Sequence, residues 1–154
     1  MIILVDGRSG SGKTELARAM VAADPALQLV RLDDLYPGWD GLDAGSAAVP
    51  GILSSLRFQA WDWAADAPGV WHELEPGRPI LVEGVGSISR ASRPFADRAI
   101  WVDLDDETRK ARALARDPYY AEYWERWAAH EEKFIARERP RELASERVMT
   151  ELSP

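Results

Sequence analysis

Cysteine is absent from the 154 residues. That excludes a disulfide framework and a thiolate metal site. Positive charge is scarce: 19 Lys and Arg stand against 26 Asp and Glu, for a net charge of −7. The deficit argues against a broad nucleic-acid or membrane surface. Any basic cluster is therefore local, with a specific anion to meet. Long apolar runs are missing too. No stretch approaches the length of a transmembrane helix. The first apolar run is short and leads straight into a Gly-rich loop, so no signal peptide is expected. A soluble cytoplasmic protein with a small-molecule partner follows as the expectation. The length suits one α/β domain over residues 1–154.

What is present is the stretch Asp6-Gly7-Arg8-Ser9-Gly10-Ser11-Gly12-Lys13-Thr14. It fits the phosphate-loop pattern G-x-x-x-x-G-K-[ST]. Residues 1–5 are apolar and β-branched and read as a buried strand. Residues 15–23 are rich in Ala and Leu and read as a helix. The pattern thus sits between a strand and a helix, where a phosphate loop has to sit. Its glycines allow a sharp turn and bring bare N–H groups close to an anion. The following helix aims its positive end at the same spot. Lys13 adds a point charge for the β- and γ-phosphates of ATP, and the Thr14 hydroxyl suits a bridging Mg²⁺.

Residues 27–32 read as a second strand ending in Asp33-Asp34. The turn Leu35-Tyr36-Pro37-Gly38-Trp39 follows. Ligands collect at the carboxyl ends of strands in open α/β sheets, which puts both aspartates on the functional edge. Ile52, Leu53, Leu56 and Ala60 recur at helical spacing and predict a helix after Pro50. Trp61-Asp62-Trp63 offers two flat rings around a carboxylate, suited to a sugar or base; core packing is the alternative for each ring. His72, one of two histidines, reads as a surface or capped residue.

Residues 80–82 form a short apolar run ending in Glu83, the place of a Walker-B acid. Residues 99–104 predict another strand. The next helix carries Arg109, Arg112 and Arg116 at spacings that share one face. In an acidic chain, such a row is best explained by phosphate contacts. Residues 119–139 read as one long amphipathic helix, with Tyr120, Tyr123, Trp124, Trp127 and Phe134 on its apolar face and Glu131 among its polar positions. Residues 147–152 predict a final strand. The fold class is therefore α/β: a three-layer α/β/α arrangement around a mainly parallel sheet of about five strands.

The phosphate loop, Asp33-Asp34-Leu35-Tyr36, Val82-Glu83-Gly84 and the Arg109, Arg112, Arg116, Asp117 series resemble the uridine kinase-like group of P-loop kinases. The resemblance implies a P-loop kinase fold using ATP and Mg²⁺. It implies that Asp33 meets the substrate hydroxyl and that Glu83 serves the metal with Thr14 and Asp33. It also implies that Arg112 and Arg116 lead into a short lid around residues 112–127. Gly7, Arg8, Ser9, Gly10, Ser11, Gly12, Lys13 and Thr14 would hold the nucleotide. Asp33, Tyr36, Trp61, Asp62 and Tyr123 are the candidate acceptor contacts. The sequence departs from the group in having Leu35 where an aromatic stands, and in a compressed lid.

Three readings stand at this point. The first is an ATP-dependent kinase of a small hydroxyl-bearing metabolite, nucleoside-like in character. The second is a nucleoside monophosphate kinase, which needs acceptor arginines such as Arg57, Arg90 or Arg93. The third is a nucleotide-binding switch or regulatory ATPase, since the loop alone is common to all three.

Overall fold

The computed structural model of the chain describes residues 1–150. Three apolar runs become the centre of a parallel sheet: β1 (Ile2–Asp6), β5 (Ile80–Glu83) and β6 (Arg98–Asp103). β2 (Gln28–Arg31) and β7 (Glu146–Met149) are its edges, giving the order β2-β5-β1-β6-β7 with every pairing parallel. The predicted final strand is thus present as β7, and residues 151 and 152 of that prediction lie outside the described residues.

Side chains alternate across the strands, so each face buries its own set. Ile3, Val5, Leu81, Ile100 and Val102 face α1 (Lys13–Ala23), which covers one side through Ala17. Leu4, Val30 and Val82 face the other side. There they pack with α2 (Leu42–Ser55), Ala113 of α3 (Asp106–Arg116) and Trp127 and Phe134 of α4 (Trp124–Glu138). The layers are α/β/α. A short α5 (Pro140–Leu143) leads into β7. Among the described residues no helix is long and apolar enough to cross a membrane.

Two expectations need correction. The helix predicted after Pro50 instead runs Leu42–Ser55 with Pro50 inside it, and it stops at Leu56, whose φ of 58° turns the chain left-handed. Next comes an antiparallel hairpin, β3 (Arg57–Asp62) with β4 (Ala67–Glu73), standing outside the main sheet. Its tip is shaped by Asp62, whose carboxylate accepts the N–H groups of Ala64 and Ala65. The long helix predicted over 119–139 is also divided. Residues Pro118–Glu122 form a tight 3₁₀ turn, and the α-helix begins only at Trp124. The i→i+3 bonds from Tyr120 N–H to Asp117 and from Tyr123 N–H to Tyr120 hold that turn.

Candidate active site

The carboxyl ends of β1, β2 and β5 bring the candidate residues to one edge. The loop after β1 passes so close to α3 that a Cβ at Gly10, where φ is +80°, would sit 2.1 Å from the Arg109 carbonyl oxygen. Gly12 begins α1 in a left-handed conformation with no side-chain cap. The first N–H groups of α1 therefore have no side-chain acceptor and are suited to an anion. Beside Gly12 lies Thr150, whose hydroxyl donates to the Ser11 carbonyl.

These elements enclose a cavity of about 710 Å³. Ser9, Gly10, Gly12, Lys13 and Thr14 of the Gly-rich loop and the start of α1 form one side of it. Arg112 and Arg116 line it from α3, and Asp33 lines it from the turn after β2. Tyr36 and Tyr123 also reach its wall. Tyr36 is buried, and its hydroxyl donates to the Val85 carbonyl at 2.6 Å, so it offers a ring and not a free hydroxyl. Burial, with the nearby carboxylates, raises its pKa well above the usual value.

Thr14 Oγ1 donates to Glu83 Oε1 at 3.0 Å. The other Glu83 oxygen faces Arg31 Nε at 3.4 Å, and Arg31 also lies 3.5 Å from Asp33. Among the described residues no group of three or more His, Cys, Asp or Glu could hold a metal ion. The set Thr14, Glu83 and Asp33 fits Mg²⁺ only as a partial site of hard oxygen donors. Mg²⁺ accepts this arrangement because it takes its remaining ligands from phosphates and water.

Several predicted contacts lie elsewhere. Trp61 and Asp62 are not on the cavity wall, and Asp62 is engaged in the hairpin tip. Gly7, Arg8 and Ser11 are likewise not on the cavity wall. Arg8 points away to α4, where Nε meets Glu131 at 3.0 Å. The arginine row also splits. Arg109 is buried, bound to Asp106 and donating to the Ser9 carbonyl at 3.0 Å. It supports the loop, and only Arg112 and Arg116 face the cavity.

Among the other wall residues, Arg31 and Trp39 were not named as contacts from the sequence, whereas Trp63 was offered as a flat ring. Arg31 gave no signal, because its role depends on strand pairing. Trp39 stacks on Tyr123 with ring centres 4.4 Å apart and planes 3° from parallel. Trp63 packs edge-on to Trp39, and its Nε1 donates to the Asp33 carbonyl at 2.8 Å. The hairpin tip therefore braces the turn that presents Asp33. A Trp-Asp-Trp segment was a usable signal for Trp63, though not for its two neighbours.

Fold and loop together define a P-loop α/β/α protein. Among solved structures, the chain is similar to a possible uridine kinase from Bacillus stearothermophilus, at 19% identity and a TM-score of 0.64, covering 96% of this chain and 88% of that one. It is also similar to a gluconokinase from Sinorhizobium meliloti 1021 (17% identity, TM-score 0.56, 99% and 82% covered). A shikimate kinase from Acinetobacter baumannii, in complex with shikimate, matches at 16% identity and a TM-score of 0.58, with 99% and 84% covered. No family profile and no curated protein matches the chain.

Proposed function

We propose that the protein is an ATP-dependent kinase that moves the γ-phosphoryl group to a hydroxyl of a small metabolite, with a nucleoside-like acceptor as the best fit. The observation that carries this reading is the place of Asp33 on the wall of the same cavity as Lys13, Thr14, Arg112 and Arg116. One carboxylate facing a cationic phosphate cradle is what hydroxyl phosphorylation needs. Asp33 orients the acceptor hydroxyl and receives its proton as the oxygen bonds to the γ-phosphorus and the bond from that phosphorus to the β,γ-bridging oxygen breaks, leaving ADP. Lys13, Arg112 and Arg116 neutralise the charge that spreads over the phosphoryl oxygens. Thr14 and Glu83, with Asp33 near them, would hold Mg²⁺, which supplies further neutralisation at the β- and γ-oxygens. Trp39, Trp63 and Tyr123 offer flat apolar faces beside Asp33.

The three similar structures named above are all described as kinases of small molecules, which supports the class. The monophosphate kinase reading loses its arginines. Arg57 lies over the Trp71 ring, Arg93 donates to the Leu143 and Ala96 carbonyls, and neither these nor Arg90 reach the cavity. A screen of nucleosides, nucleotides and sugars for acceptor-dependent ADP release tests the reading. Stimulation by a hydroxyl acceptor is the expected result. Tight ATP binding without stimulation by any acceptor would sink it.

A further inference from the structure

Glu83 is 1% exposed, yet it is an acid at the end of a buried strand. A carboxylate taken out of water without a cation is costly. Among the described residues, Arg31 is the one cation in ion-pair range of it. The pairing of β2 with β5 sets Arg31 directly across from Glu83, so this contact is built into the sheet. The same guanidinium reaches Asp33 at 3.5 Å. Both contacts are long for an N–H···O bond, so the guanidinium is held by charge more than by geometry. It is also partly exposed and lines the cavity.

Resting on the kinase reading above, we propose that Arg31 is a resident counter-ion for the metal-side acids, and that it makes metal entry depend on the nucleotide. A free divalent cation approaching Thr14, Glu83 and Asp33 meets a fixed positive charge a few ångströms away and is repelled. A metal already carried by a triphosphate arrives with net negative charge and is drawn in by Lys13, Arg112 and Arg116. Arg31 then releases Glu83. It is a positioning residue, acting on the acids and not on the reacting atoms.

Mn²⁺ binding to the full chain, read by electron paramagnetic resonance with and without ATP, tests this. Wild type is expected to bind Mn²⁺ weakly alone and tightly with ATP. Arg31→Gln is expected to raise the affinity for free Mn²⁺ about tenfold or more, since one opposing unit charge is removed. Arg31→Lys, which keeps the charge, is expected to stay near wild type. Unchanged Mn²⁺ affinity in Arg31→Gln, alongside normal binding with ATP, overturns the inference alone. So does Arg31→Gln that only raises the KM for the acceptor, since Arg31 then reads the substrate. A wild type that binds no Mn²⁺ even with ATP overturns the kinase reading and this inference together.

Discussion

The carboxylate of Glu131 accepts the backbone N–H of Ser9 at 2.9 Å, across 122 residues of chain. Its other oxygen takes Arg8 Nε at 3.0 Å. The Ser9 hydroxyl meets the Tyr120 hydroxyl at 2.9 Å, and Arg109 donates to the Ser9 carbonyl. One loop residue is thus held by α3, the 3₁₀ turn and α4 together. Such bonds fix the loop before any nucleotide arrives. Glu131→Ala leaves the Ser9 N–H without its acceptor and Arg8 without its buried partner. The expected cost is about 2–3 kcal/mol, with weaker ATP binding. Urea unfolding with an unchanged m-value, beside ATP titration, measures both. Wild-type values for the two would show that the tie is unimportant.

Asp33 and Asp34 are neighbours with different surroundings. Both are exposed, but Asp33 lines the cavity and faces Arg31 at 3.5 Å, whereas Asp34 is off the cavity wall. Asp33→Asn is expected to lower kcat by about 10²-fold or more, the scale of general-base catalysis, and to leave ATP binding nearly intact. Asp34→Asn is expected to change little. Parallel steady-state kinetics decide the assignment: a larger loss at Asp34 reverses it.

Asp6 gives a pH dependence of definite sign. Its carboxylate is fully buried and accepts N–H groups from Gly7 at 2.7 Å, Ile88 at 3.0 Å and Gly86 at 3.2 Å. Burial pushes its pKa up to about 7 and outweighs those bonds and the charge of Lys13, which act the other way. A carboxyl raised in the folded state stabilises the fold most below its unfolded pKa. That contribution is lost as pH rises to the folded value. Relative to Asp6→Asn, wild type should lose about 1.4 kcal/mol per pH unit between pH 5 and 7, then level off. Unfolding free energies of both proteins at pH 5, 6, 7 and 8 check it. A difference that stays flat across this range would show that Asp6 is ionised throughout.

The phosphate loop, the central strands and Glu83 were legible because their signals are local: fixed motif spacing, apolar runs and a terminal acid. The hairpin was not. Its tip carries no Asn-Gly or Asp-Gly pair, and Ala60 in its first strand continues the helical spacing of Ile52, Leu53 and Leu56. Glu131 read as a polar position on an amphipathic helix, since nothing near it in sequence announces a loop 122 residues away. Arg31 was illegible for a related reason. Only strand pairing sets it against Glu83.

Packing also narrows where a lid can move. Residues 112–127 are the expected lid, yet Tyr120 of the 3₁₀ turn and Trp124 and Trp127 of α4 are buried in the core that α2 also lines. Tyr120 is further tied to Ser9. Arg109, buried at the base of α3, is a second anchor. Between these anchors lie Arg112, Arg116 and Tyr119, all on the cavity wall. Arg112 is 3.9 Å from Glu15, and Arg116 pairs with its neighbour Asp117 at 3.0 Å. Such surface pairs are weak, so both guanidinium groups are available for phosphate oxygens. Pro118 follows, where the α-helical hydrogen bonding has already ended. We propose residues 112–119 as the moving piece, which would have to release the buried Ala113 as it moves. Its closure would exclude water, a competing acceptor for the phosphoryl group. Arg116→Ala should lower kcat more than it raises the KM for ATP, the pattern of a contact made mainly in the transition state. Hydrogen exchange over residues 112–119 should slow only when nucleotide and acceptor are both bound, while residues 120–127 stay protected in every state. If 112–119 exchange slowly in the free protein and do not respond to ligands, that segment is fixed, and its arginines are an ordinary solvated face.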